Sequence, residues 1–135
     1  MTRKSRLVSN VPVIIAIALL SVPTRATEPQ VPVMVGGEAD LDACGAVGTV
    51  SGLKPTGGNT LSVRSGPGRE QNRIDGLAPG TRVWLCDRQG AWLGVVYGPP
   101  GRECGVSTPS AIRRPYRGPC SSGWVHERYV ELLAG

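Results

Sequence analysis

Four cysteines and one histidine are the residues of this sequence best suited to chemistry, and their spacing limits which chemistry that is. Cys44, Cys86, Cys104 and Cys120 contain no Cys-x-x-Cys pair and His126 stands alone, so the usual ligand spacing of a zinc site is missing. A cysteine nucleophile beside His126 is the catalytic alternative. It requires a reduced thiol, whereas each of these four has a partner to bridge to. In an oxidising compartment four cysteines read as two disulfides, for which three pairings exist. Cys104 and Cys120 bracket one loop, so joining them closes a local ring worth about 3 kcal/mol of loop entropy. Cys44 is then left for Cys86. No paired carboxylates in an apolar setting, no Gly-x-Ser-x-Gly and no phosphate-cradling loop occur, and Gly66-Pro67-Gly68 is too short and wrongly flanked to be one. The chain is therefore read as non-enzymatic, without cofactor or metal, and His126 as a solvent-facing residue in a turn.

Recognition chemistry is better represented than catalytic chemistry. Arg113, Arg114 and Arg117 with Tyr116 make a basic, aromatic stretch suited to a carboxylate or other anionic partner, because guanidinium forks match carboxylates in geometry. The competing reading is a solvated flap kept in place by its disulfide. Trp84 joins these candidates by period: Val83 and Leu85 take the inward positions of a strand, which sends Trp84 to the other face. There it is either exposed for glycan or peptide contact, or covered by the long loop that follows. The candidate ligand-binding set is thus Trp84, Arg113, Arg114, Tyr116 and Arg117.

The start of the chain assigns the compartment. Arg3, Lys4 and Arg6 form a basic opening, and Leu7 to Val22 is apolar apart from Ser9, Asn10, Pro12 and Ser21. Thr24-Arg25-Ala26 then supplies small residues at the two positions a signal peptidase reads. Residues 1–26 are expected to be a cleaved signal peptide, and the mature chain to be periplasmic or secreted with no membrane span. An uncleaved anchor would need about 20 unbroken apolar residues. The signal takes four of the fifteen Lys and Arg with it, leaving eleven against ten Asp and Glu. The net charge of +5 is therefore mostly a property of the targeting segment, which removes nucleic acid as a partner.

Positioning these residues falls to short strands. Residues 27–43 hold Pro29, Pro32, Gly36, Gly37 and several acids without a period, and read as a linker, although Val31 to Val35 is apolar enough for an edge strand. Strands are expected at about 46–53 and 60–65. The second alternates Leu61 and Val63 inward and stops in Gly66-Pro67-Gly68, where the glycines allow a positive-φ reversal. Ile74 and Leu77 are expected to dock, Val83 to Cys86 to form a third strand, and Asp87-Arg88-Gln89-Gly90 a hairpin into a fourth strand at Trp92 to Tyr97. Gly123-Trp124-Val125 starts a last strand, followed by a turn and Tyr129-Val130. With no helical period anywhere, and no Phe in the sequence, the fold class is all-β, a small antiparallel barrel.

Taken in order, Leu61-Ser-Val-Arg-Ser-Gly-Pro-Gly68, Ile74-Asp-Gly-Leu77, Gly80-Thr-Arg-Val83, Trp92-Leu-Gly-Val95-Val-Tyr97, Gly123-Trp-Val125 and Tyr129-Val130 resemble the bacterial SH3-like (SH3b) domain. The resemblance runs from Val47 to Leu132, within a domain expected over residues 44–135. It implies a partly open SH3-like β-barrel, with Trp92 and Trp124 at aromatic positions of its core or rim. Ser62 stands where that family usually has Asn, Cys86 where it has an aliphatic residue, and an insert at 98–122 replaces a short turn. The resemblance also implies cell-envelope ligands, peptidoglycan or an envelope protein or peptide, so with the export signal the chain is expected to be an exported binding module of the cell envelope, and a monomer. A secreted cysteine hydrolase and a stand-alone protein inhibitor are the alternatives. The signal reading has a direct consequence: the intact mass of the exported protein should correspond to a chain beginning at Thr27, and a full-length species in the membrane fraction would refute it.

Overall fold

The computed structural model describes residues 2–3, 5–22, 30–56 and 58–135, so the expected cleavage point after Ala26 lies outside the described residues. Residues 5–22 form neither helix nor strand, and no helix among the described residues is long and apolar enough to cross a membrane. From there the chain is built of short strands: β1 (Met34–Val35), β2 (Glu38–Asp42), β3 (Ala46–Val50), β4 (Leu61–Arg64), β5 (Arg73–Leu77), β6 (Arg82–Gln89), β7 (Trp92–Tyr97), β8 (Pro109–Ser110), β9 (Arg114–Pro115), β10 (Ser121–His126) and β11 (Val130–Ala134), with one 3-10 turn at Glu127–Tyr129. Seven of them make one antiparallel sheet in the order β11-β3-β6-β7-β10-β4-β5, while β1 pairs with β9 and β2 with β8. The expected all-β class holds. The sheet stays open, because β5 and β11 are its two edges and do not pair.

The sheet buries both of its faces around β7. Leu93, Val95 and Tyr97 point into a first core with Val50, Leu61, Val63, Leu77, Val83 and Val125, a set drawn from six strands. Val96 points the other way, into a second core with Val35, Ala43, Cys44, Cys104 and Val106. A strand covered on both faces must be apolar at successive positions, and Leu93 to Tyr97 is. Gly94 makes the second covering possible, since a Cβ there would stand 2.7 Å from the Cβ of Asp87 and 3.1 Å from Val33.

The second core is roofed by two segments that were expected to be peripheral. Residues 30–43, read from sequence as linker, are packed into the fold: Val33 is 1% and Val35 2% exposed. The backbone amide of Val31 donates to the Ser65 carbonyl, and the Trp124 indole donates to the carbonyl of Val31. The residues of the insert supply the rest of the roof, with β8 and β9 completing the two small ladders. Both disulfides join this layer. Cys44 bridges Cys86 and Cys104 bridges Cys120, the pairing expected from loop closure, each worth roughly 3 to 4 kcal/mol by loop entropy. Such bridges belong to an oxidising, exported environment.

A β-bulge in β6 organises the layer. Leu85 lies opposite Val95 and Asp87 opposite Gly94, so Cys86 is the extra residue. Without it the period of two would put Asp87 beside Leu85 on the first-core side; with it Asp87 joins Trp84 and Gly94 under the roof. Its carboxylate is 7% exposed and accepts from the Met34 amide at 3.1 Å, the Arg88 amide at 2.8 Å and Nη2 of Arg113 at 3.0 Å.

Elsewhere the sequence reading needs local correction. The first strand ends at Val50 rather than 53, and the hairpin turns at Gly90-Ala91, two residues later than expected. Gly66 and Gly68 do not adopt positive φ, and the nearest atoms a Cβ there would meet are the movable side-chain ends of Gln71 and Glu70. Ile74 does not dock in the core and remains 45% exposed: it stands three residues before the buried Leu77, and that spacing in a strand sends the two to opposite faces, while Asp75 accepts a hydrogen bond from Tyr97 Oη at 2.9 Å.

Two outcomes follow from this packing. Asp87→Ala should cost about 1 to 2 kcal/mol in urea unfolding and speed hydrogen exchange at the Met34 amide, since it leaves that part-buried donor without its acceptor. Unchanged exchange there would contradict the role given to the carboxylate. Burial, followed by the hydrogen bond to Asp75 and its negative charge, pushes the Tyr97 phenol well above its ordinary range. The folded state then keeps a proton that the unfolded chain loses near pH 10, so stability falls as pH rises above about 10. Tyr97→Phe should show a shallower alkaline loss of stability than the parent chain.

Candidate binding cleft

The five residues singled out from sequence do not form one free surface. Trp84 is half-buried against the second core, with the Arg82 guanidinium 5.8 Å from its ring centroid, so the covering alternative is the one realised. Tyr116 braces the insert: its hydroxyl donates to the Cys104 carbonyl at 2.7 Å and accepts from the Cys120 amide at 3.1 Å. Arg113 is engaged by Asp87. Only Arg114 and Arg117 remain exposed without an ion pair among the described residues, beside a hollow of about 390 Å³.

A different set of side chains converges where β4, the start of β7, the end of β10 and the 3-10 turn meet. Leu93 opposite Val125 fixes the register of β7 and β10, which puts Trp92 opposite His126. The imidazole stands edge-on to both neighbours, 5.3 Å from Trp92 and 6.3 Å from Tyr129, and its Nδ1 accepts from the Arg128 amide at 3.1 Å. His126 is thus half-buried in an aromatic row, not free in solvent as its position after Val125 suggested. Trp92 lies on the rim, whereas Trp124 is fully buried under the N-terminal segment.

This row forms one wall of a cleft of about 350 Å³, completed by Leu53, Thr60, Leu61, Ser62, Arg64, Arg69 and Arg128. Its polarity is one-sided. Three guanidinium groups and no carboxylate line it. Arg64 is held by the Gln71 carbonyl at 3.0 Å, with further N–H donors left over. Arg69 and Arg128 form no side-chain ion pair among the described residues, and Glu127, the nearest acid in sequence to Arg128, is taken by Arg88. The cleft therefore combines an apolar, aromatic wall with unneutralised cations, a pairing that holds flat or apolar groups carrying negative charge.

All four cysteines are in disulfides, and among the described residues no three His, Cys, Asp or Glu side chains gather as a metal site. No protein-family model, curated protein or solved structure matches the chain.

The cleft was accessible to sequence reasoning through one step not taken. Once Leu93 and Val125 are both assigned inward on neighbouring antiparallel strands, Trp92 and His126 become a directly opposed cross-strand pair, close enough to interact. The arginines gave no comparable signal, since Arg64, Arg69 and Arg128 are scattered along the sequence and meet only through the topology.

Proposed function

We propose that this chain is an exported, non-enzymatic binding module of the cell envelope, periplasmic or secreted, that recognises peptidoglycan or an envelope protein or peptide. The observation that carries the reading is the cleft of Arg64, Arg69 and Arg128 facing Trp92, His126 and Tyr129, a preformed concave surface with apolar and charged contacts and no nucleophile. The ordered series of motifs resembling bacterial SH3-like domains, together with the open antiparallel sheet, supports the same reading. A thiol hydrolase would have to sacrifice one of the two disulfides of the roof, which speaks against the cysteine-enzyme alternative. The protein acts as a monomer whose insert serves first as cover for the second core. The inhibitor alternative would place contact on the insert, where Arg114 and Arg117 are the exposed cations.

The test incubates the exported protein with isolated wall sacculi and, separately, with envelope extract, and asks which retains it. Retention by one of them is expected, with a loss of about tenfold or more in affinity for Trp92→Ala, the size of effect associated with an aromatic hot spot. Arg114→Ala with Arg117→Ala should leave it unchanged. Retention by neither fraction, or loss confined to the insert variant, would sink the reading.

A further inference from the structure

The cleft does not end at its aromatic wall. A second hollow of about 410 Å³ shares Leu53, Thr60, Arg128 and Tyr129 with it, so the two adjoin, and together they are taken as one groove. Membership of the two hollows orders the cations. Arg64 and Arg69 line only the first, Arg128 lines both, and Lys54 lines only the second. Neither hollow is lined by an Asp or Glu. The groove therefore carries positive charge at its near end, its middle and its far end, with no internal counter-charge. Arg64 donates to the Gln71 carbonyl, and Asn59 Nδ2 donates to the carbonyls of Lys54 and Thr56 at 2.8 Å each.

We propose that this groove takes an extended acidic peptide segment, an inference that rests on the binding-module reading above and names its ligand class. An extended chain sends alternate side chains to the same side, about 7 Å apart, so a run of carboxylates at every second residue presents charge repeatedly along one edge. That is the complement of cations distributed along a groove. A single anionic group would need only one end of it. The intervening small or apolar side chains meet the row of Trp92, His126 and Tyr129. Guanidinium forks favour carboxylates over neutral amides, and unneutralised cations at every station disfavour a basic or uncharged strand.

The experiment uses the full chain and capped peptides: a hexapeptide alternating glutamate with alanine, its glutamine counterpart, and a capped Glu-Ala dipeptide. The glutamate hexapeptide should bind about tenfold or more tightly than the glutamine one, the usual worth of a charge-assisted contact, with affinity falling as salt is raised. Arg69→Gln combined with Arg128→Gln should remove most of this preference at an unchanged thermal midpoint, since neither side chain is paired within the fold. Lys54→Gln should weaken the hexapeptide several-fold and leave the dipeptide untouched, because only the longer ligand reaches the far hollow. Equal affinity for the glutamate and glutamine peptides, or a Lys54→Gln effect that does not depend on peptide length, would overturn the inference. Indifference to all acidic peptides by a protein that an envelope fraction retains through Trp92 would overturn it while leaving the binding-module reading intact. If neither peptide nor envelope fraction binds, both fall.

Discussion

The carboxylate of Asp87 is the point on which the second half of this structure depends. A bulge at Cys86 moves it from the side of the first core to the roofed side of the sheet, where it meets three donors from three parts of the chain: Met34 in the N-terminal segment, Arg88 in its own strand and Arg113 in the insert. A buried carboxylate is costly unless its oxygens are satisfied. Here satisfaction requires the N-terminal segment and the insert to be in place together. The same bulge puts Cys86 where it bridges Cys44, so one irregularity in β6 supplies both the covalent and the polar tie between sheet and roof.

The roof in turn accounts for residues that otherwise resemble a binding surface. Trp84, Tyr116 and Arg113 are large, polar-tipped or charged, and lie outside the first core, which is the profile of a ligand contact. In this molecule they cover Val96, brace the Cys104–Cys120 loop and neutralise Asp87. Their commitment leaves the opposite corner of the sheet, built from strand ends and the 3-10 turn, as the place where aromatic side chains stand beside cations that form no ion pair among the described residues. The open edge at β5 is unsuited to that role, since Arg73 folds back onto the Asp75 carbonyl and Thr60, and Asp75 holds Tyr97.

Period-two reasoning located the strands of the main sheet because each has one face on the first core, and Leu61 with Val63 or Val83 with Leu85 alternates accordingly. It could not foresee the roof. β1, β8 and β9 are two residues long, too short to carry a period, and their pairing partners lie in a different part of the chain. The disulfides were legible because Cys104 and Cys120 bracket a single loop, which leaves Cys44 for Cys86. The fate of Trp84 was half legible: the period gave its face, but not what covers that face. Ile74 was misplaced because it stands three residues before Leu77, a spacing that in a strand sends the two side chains to opposite faces, and only Leu77 reaches the core. His126 was misread for a related reason, as a turn position says nothing about the aromatic partner that strand register brings beside it.

The central claim is a division of labour, with the insert as cover and the cleft as contact surface. The three indole N–H groups report on it separately, since Trp84 lies under the insert, Trp124 donates to Val31 and Trp92 lines the cleft. Proton–nitrogen spectra of the labelled protein, recorded while the envelope fraction that retains it is digested and titrated in, should move the Trp92 indole and the amides of His126 and Arg128. The indoles of Trp84 and Trp124 and the amides of Arg114 and Arg117 should stay where they are. Shifts centred on Arg114, Arg117 and the Trp84 indole, with Trp92 unmoved, would contradict the account.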